Sequence, residues 1–294
     1  MLATPWPAPA KLNLFLHITG RRGDGYHELQ TVFQFLDWGD SIEIHPREDG
    51  RIRRLSELSG VHADDDLVVK AARSLQAATG TRFGADLRVR KRLPIGAGLG
   101  GGSSDAATTL VALNQLWGLG LPTEHLIELG VKLGADIPIF IHGRAAWAEG
   151  VGEKLTTLSL DEPWFLIIQP PCMVSTEAVF ADPHLTRDST AITIADFINS
   201  GSGGRNDCEP VVRARYPEVA RALDWLKQWG DARLTGTGAC VFVHFSAQAR
   251  ARDVIRALPD DWQGIVARGL NRSPLLDRLA EEHARGSHQG AIGV

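Results

Sequence analysis

Residues 93–110 read LPIGAGLGGGSSDAATTL: five glycines within seven positions, then two serines and an aspartate ahead of a run with helical spacing. Glycine has no Cβ, so the backbone N–H groups of such a segment can approach an anion closely. A helix starting directly behind it adds unpaired amides and the positive end of its dipole. Pro94, Ile95, Gly96, Ala97, Gly98, Leu99, Gly100, Gly101, Gly102, Ser103 and Ser104 therefore form a candidate polyphosphate cradle, flanked by Lys91 and Arg92. The two serines stand where a helix N-cap is expected. A serine hydroxyl there, Ser104 being the candidate, can also reach Mg²⁺ or a phosphate oxygen. Asp105 suits the helix dipole but repels phosphate, so it is expected to point away or to help hold the metal.

Other glycine chemistries fit less well. Gly96-x-Gly98-x-x-Gly101 matches the dinucleotide-binding spacing, but the strand ahead of such a loop should be nearly all apolar. Here it is ADLRVRKR (85–92), with Pro94 intervening. A Walker loop needs Gly-Lys-Ser/Thr, and the chain contains no Gly-Lys pair. A serine-capped turn without a ligand is the plain alternative, and five clustered glycines beside two basic residues argue against it.

A phosphate cradle needs an acceptor and a group to take its proton, often an aspartate. Asp136 in GADIPIF (134–140) is one candidate, although a lone Asp near a proline is commonly a turn residue. Lys11, beside Asn13, lies on the polar face of an alternating strand, where a lysine is usually just solvated. In GDGYHE (23–28), Tyr26 and His27 follow a tight turn, and an aromatic there could stack on a base or merely cover the hairpin. RLTGTGACVF (233–242) carries Gly236 and Gly238 into a strand, either for close approach to a ligand or as a simple turn.

These residues need elements to carry them. KLNLFLHI (11–18) alternates, with Leu12, Leu14, Leu16 and Ile18 on one face and Lys11, Asn13, Phe15 and His17 on the other. Residues 28–36 predict a second strand, 37–40 a turn and 41–45 a third strand, so the N-terminus reads as a β-meander. Helices are predicted over 65–79, behind the glycine loop to about Trp117, and over 124–134; IPIFIHG (137–143) reads as a short strand. Beyond Pro163 the pattern restarts: strand 164–169, a flexible loop at 200–204, helix 217–229, strand 240–245, helix 247–258 and strand 262–270. That succession suits a ferredoxin-like unit. The expected fold class is α+β in two domains, 1–160 and 161–280, followed by a polar tail over 281–294.

Bulk properties narrow the partners. The chain has 294 residues, 44% hydrophobic and 22% charged, with a formal net charge of −4. It has no global basic field for nucleic acid, no secretory leader pattern and no apolar stretch suited to a membrane span. Three scattered cysteines, Cys172, Cys208 and Cys240, fit a reducing compartment and argue against a disulfide scaffold or a cysteine zinc site. The expectation is a cytoplasmic monomer or homodimer acting on a small molecule.

The central motif Pro94-Ile-Gly-Ala-Gly-Leu-Gly-Gly-Gly-Ser-Ser-Asp-Ala-Ala, with the N-terminal lysine strand and the second small-residue loop, resembles the GHMP kinases. PAPAKLNLFL (7–16), GRRGDGYHEL (20–29), LGADIPIF (133–140), NDCE (206–209) and LTGTGACVF (234–242) occur in the order of one branch, which phosphorylates a cytidine-diphospho sugar alcohol of the non-mevalonate isoprenoid pathway. The resemblance spans residues 7 to about 275. It implies a two-domain GHMP fold, ATP with Mg²⁺ at the glycine loop, and substrate in the cleft between the domains. It further implies Asp136 as general base on the acceptor 2-hydroxyl and Lys11 beside it, balancing its charge and steadying the reacting oxygen. Asn13 would bond the polyol. Tyr26, His27 and Phe180 would frame the cytosine, Thr176 and Thr235 would line the substrate side, and Lys91 and Pro94 would border the adenine. Where the family often has Asn, this chain has Asp66, which accepts hydrogen bonds but does not donate them at neutral pH. Alternatives are a homoserine- or mevalonate-type kinase, for which a base-stacking cluster would be idle, or a non-catalytic nucleotide-binding regulator, which would be expected to have lost Lys11 or Asp136.

Overall fold

The computed structural model describes residues 4–57, 61–199 and 204–290. Most of the loop expected at 200–204 lies outside the described residues, as do the last four residues of the expected tail.

β1 (Trp6–Arg21) and β2 (His27–Arg47) form one long antiparallel hairpin. Register shifts fall between Pro9 and Lys11, Asn13 and Leu16, and Ile18 and Gly20. Bulges of this kind re-aim side chains. The simple alternation predicted for 11–18 therefore breaks, and nearly all of these residues, Lys11, Asn13 and His17 included, are buried. The expected turn at 37–40 is also absent, because β2 runs straight through it. Gly39 lies flat against β1, where a Cβ would come within 2.3 Å of the Ala8 carbonyl oxygen. The Asp40 carboxylate accepts from the N–H groups of Arg92 (2.5 Å) and Leu93 (2.8 Å), and that of Asp37 accepts from the N–H of Arg268 (2.7 Å). Polar residues that read as turn formers locally thus have distant backbone partners.

β3 (Ile52–Arg54) and a 3₁₀ turn (Ala63–Asp65) lead to α1 (Leu67–Thr79). Asp66 caps that helix, accepting from the Val68 N–H, and Gly80 ends it at φ +64°. β4 (Gly84–Arg90) pairs with β2, and α2 (Gly101–Leu116) begins inside the glycine run rather than at the serines. Its N-cap is Gly100, with no side-chain cap. α3 (Thr123–Val131) and α4 (Ile137–His142) follow. The predicted strand at 137–143 is thus a helix. An uninterrupted apolar run is consistent with a buried strand or a buried helix, and Pro138 in the first turn favours the helix. β5 (Ala146–Glu149) and β6 (Lys154–Thr157) complete the first unit.

The second unit runs β7 (Trp164–Gln169), α5 (Thr176–Phe180), α6 (Ile194–Asn199), α7 (Glu209–Arg215), α8 (Pro217–Leu226), β8 (Arg233–Leu234), β9 (Val241–Phe245), α9 (Gln248–Ile255) and β10 (Gln263–Leu270). Its antiparallel strand order β10-β7-β9-β8 is ferredoxin-like. β10 also pairs with β2 through Gly269 and Leu270, joining the two sheets. A seam core fills the junction: Leu12 and Leu36 from the first sheet, Phe165 and Phe242 from the second, and Leu93, Ala97 and Leu99 from the glycine loop. α10 (Pro274–Gly290) takes up most of the expected tail and returns to the first unit. Leu275 joins that unit's core, and the Arg278 guanidinium lies 4.6 Å from the centre of the Trp6 ring.

Candidate active site

A cleft of about 820 Å³ runs between the two units, with the glycine loop, the start of β1, the hairpin tip, the start of α4 and α5 around it. Gly96, Gly98 and Gly100 adopt φ of +67°, +77° and +73°, a conformation that L side chains rarely take. The intervening Ala97 and Leu99 are buried in the seam. The loop is anchored on both sides. The Ala97 carbonyl accepts from the Cys240 N–H and the Leu99 carbonyl from the Lys11 N–H, each at 3.1 Å. At Gly98 a Cβ would lie 2.2 Å from the Thr235 carbonyl oxygen, so the two small-residue loops touch backbone to backbone.

Not every loop residue faces the cleft. Ser103 does, whereas Leu99 and Ser104 are buried behind it. The Ser104 hydroxyl donates to the Pro9 carbonyl (2.7 Å), tying α2 to β1, so the structure does not offer Ser104 to a metal or a phosphate. One turn inside the helix, its side chain points down onto the sheet. Lys91 does line the cleft, and its ammonium donates to Asp40 (2.5 Å) and Asp105 (2.9 Å). Burial pulls the Lys91 pKa down, but the charges of Asp105 and Asp40 outweigh it and leave it raised. Burial pushes the Asp105 carboxyl up to about 7 against the pull of Lys91. Asp105 Oδ1 is buried without a hydrogen-bond partner.

Across the cleft, the Lys11 ammonium sits 3.1 Å from Asp136 Oδ2 and donates to Asn13 Oδ1 at 2.5 Å. Lys11 is buried over the Phe33 ring, whereas the Asp136 side chain is 37% exposed. Asp136 holds the N-cap position of α4 without bonding a backbone amide there, which leaves its carboxylate facing the cleft. A hydrogen-bonded chain fixes the lysine from behind. Asn13 Nδ2 donates to Thr31 Oγ1 (3.0 Å), which donates to the Phe15 carbonyl (2.5 Å). Thr235 Oγ1 accepts from the Asn13 N–H (3.0 Å) and donates to the Gly98 carbonyl (3.3 Å). Thr235 is thus fully buried and supports the site instead of lining it, contrary to expectation.

At the other end of the cleft Tyr26 projects from the hairpin tip, 62% exposed. The rings of His27 and Phe180 stack at 5.0 Å and 26°. Arg187 Nε donates to His27 Nε2 (3.1 Å), which leaves Nδ1 to carry the proton of the neutral ring. Burial, then the charges of Arg187 and Arg21, hold the His27 pKa below its ordinary value. The Thr176 and Thr237 hydroxyls meet at 2.9 Å, linking α5 to the second glycine loop. Near Lys91 the Asp66 carboxylate is engaged by the Val68 N–H and by Arg54 (2.8 Å). Arg54, Thr31 and Arg187 were not among the candidates from sequence. Arg21 was legible within GRRGDG (20–25) as one of several basic residues suited to polyanionic ligands, whereas Arg187 lies in a stretch with no motif.

A left-handed glycine cradle at a helix start, sharing a cleft with a lysine–carboxylate pair, defines a nucleotide-dependent phosphotransferase of the GHMP type. The family models agree: residues 66–144 match the GHMP kinases N terminal domain and residues 187–264 the GHMP kinases C terminal. The chain is 58% identical over 274 residues to 4-diphosphocytidyl-2-C-methyl-D-erythritol kinase of Nitrosococcus oceani, covering 93% of this chain and 97% of that protein. It is 56% identical over 279 residues to the protein of the same name from Halorhodospira halophila, covering 94% and 96%. A crystal structure of 4-(cytidine 5'-diphospho)-2C-methyl-D-erythritol kinase superposes with a TM-score of 0.79 at 30% identity, covering 90% of this chain and 99% of that one. The chain belongs to this family within the GHMP kinases. It is a small-molecule kinase, and ATP is the donor its family implies. Among the described residues no helix is long and apolar enough to cross a membrane.

Proposed function

We propose that this enzyme transfers the γ-phosphoryl group of ATP to the 2-hydroxyl of 4-diphosphocytidyl-2-C-methyl-D-erythritol. The observation that carries the reading is the Lys11–Asp136 pair, 3.1 Å apart and open to the same cleft as the glycine loop and the aromatic lobe. Asp136 takes the hydroxyl proton as that oxygen forms its bond to phosphorus and the bond from phosphorus to the leaving ADP oxygen breaks. Lys11 balances the carboxylate and the charge gathering on the attacking oxygen. Asn13 and Thr31 hold Lys11 in line, and its burial over Phe33 strengthens its field. The amides of the glycine loop and the start of α2 take the triphosphate. Tyr26 and the His27–Phe180 stack hold the cytosine, with His27 Nδ1–H as donor toward the base.

The side chains do not make a protein-only metal site: among the described residues no three His, Cys, Asp or Glu groups converge, and Ser104 is engaged elsewhere. Mg²⁺ in this reading travels on the nucleotide phosphates. A reducing compartment, in which Cys172, Cys208 and Cys240 remain free thiols, belongs to the same reading. Likeness to a mevalonate kinase (TM-score 0.68, 16% identity) and to the homoserine kinase of Cytophaga hutchinsonii (0.68, 15%) reflects the shared fold alone. The test is an ATP-dependent assay on the cytidine-diphospho alcohol, homoserine and mevalonate side by side. Turnover of the first only is expected; turnover of all three, or of none, would refute the proposal.

A further inference from the structure

Two cations that line the cleft already have carboxylate partners: Lys11 has Asp136, and Lys91 has Asp40 and Asp105. A third, Arg21, also lines it, and among the described residues no carboxylate, carbonyl or hydroxyl is bonded to it. Arg21 closes β1, directly opposite His27 in the hairpin register. Cross-strand partners share a face of the sheet, so its side chain lies on the His27 side. After burial and Arg187, its positive charge is a further cause that holds the His27 pKa down. The surrounding arginines are occupied. Arg22 pairs with Asp24 (3.0 Å) and reaches Glu28 (3.7 Å). Arg187 donates to His27 and to the carbonyls of Phe180, Asp182 and Leu185. Glu177 also lines the cleft, and among the described residues it forms no ion pair. The base-stacking end of the cleft thus holds an unpaired guanidinium, the group best matched to bidentate contact with phosphate oxygens.

We propose that Arg21 binds the diphosphate of the cytidine-diphospho substrate, reading the charge attached to the base that Tyr26, His27 and Phe180 hold. The inference rests on the cytidine reading above. It divides recognition into two parts: the aromatic lobe selects the nucleoside, and Arg21 selects a diphosphate over a monophosphate. Arg21 is exposed, so its contribution falls as salt rises.

Calorimetric titration of CMP and CDP into the wild-type enzyme, Arg21→Gln and Arg21→Lys tests both parts. The wild type is expected to bind CDP about tenfold more tightly than CMP at low salt, the scale of one charge-assisted contact. In Arg21→Gln the preference should vanish while CMP affinity stays within twofold, and Arg21→Lys should keep part of it. In turnover, Arg21→Gln should raise KM for the cytidine substrate about tenfold, with kcat and KM for ATP within twofold. A CDP preference that persists in Arg21→Gln overturns the assignment. So does loss of CMP binding in both variants, which would make Arg21 a prop of the aromatic lobe. Failure of the wild type to bind either nucleotide would refute the cytidine reading itself, and this assignment with it.

Discussion

At the scale of single residues, the site pairs one side chain held fixed by its neighbours with one open to the cleft. Lys11 is buried and fixed by Asn13, and Asp136 is half open to the cleft. Loss of the carboxylate should therefore affect chemistry more than binding. Asp136→Asn is expected to keep ATP affinity within a few-fold while kcat falls by about 10³ or more, the range of a lost general base. Pre-steady-state turnover together with nucleotide titration checks this, and near-normal turnover would remove Asp136 from that role. Both residues could be picked out from sequence, Lys11 as a lysine in an otherwise apolar strand and Asp136 from its Gly-Ala-Asp-x-Pro setting. That they meet could not, because 125 positions separate them and a register shift in β1 falls directly beside Lys11.

At the scale of elements, the glycine loop works through backbone conformation, and its glycines are not equivalent. Gly98 combines φ +77° with a backbone wall 2.2 Å from any Cβ, whereas the nearest atom to a Cβ on helical Gly102 is Leu67 Cδ1 at 3.4 Å. Gly98→Ala should destabilise the protein by roughly 2–4 kcal/mol and abolish ATP binding. Gly102→Ala should leave stability within about 1 kcal/mol, and paired urea melts separate the two. The start of α2 also carries a charge device. The Asp105 carboxyl is raised from about 3.9 in an unfolded chain to about 7. Between those values the folded state holds a proton that the unfolded state has released, so this group's stability contribution is full below pH 4 and is lost as pH rises through 7. Asp105→Asn should flatten the fall in melting temperature between pH 5 and pH 8 by several degrees, and an unchanged slope would show that Asp105 does not titrate there.

For the molecule as a whole, the important feature is that the cleft is assembled from both units across a continuous sheet. Thr235 is the smallest piece of that assembly, a second-unit hydroxyl bonded to the Asn13 amide and the Gly98 carbonyl of the first. Thr235→Val keeps the shape and removes both bonds, leaving a buried N–H without a partner. A loss of about 1–3 kcal/mol is expected. Turnover should fall about tenfold through displacement of the Asn13–Lys11 pair, with CMP affinity unchanged. Thermal melts with a kcat measurement test this. Wild-type kcat in a destabilised Thr235→Val would show that the junction supports the fold without tuning the chemistry.

What the sequence determined by itself is the chemistry that needs only a few adjacent residues. A glycine-bare loop ahead of a helix, Pro217 opening the helix predicted at 217–229, and the succession of strands and helices in the second unit all follow from backbone preferences that each residue carries locally. What only the tertiary structure decided is direction and partnership. Ser104 turns to Pro9 and not to a phosphate, 37–40 stays extended because Asp37 and Asp40 find distant amides, 137–142 coils because Pro138 and a buried setting favour it, and among the described residues Arg21 is left without a partner while its neighbours are paired. Register shifts and long-range hydrogen bonds set those outcomes, and neither is encoded within any one stretch of chain.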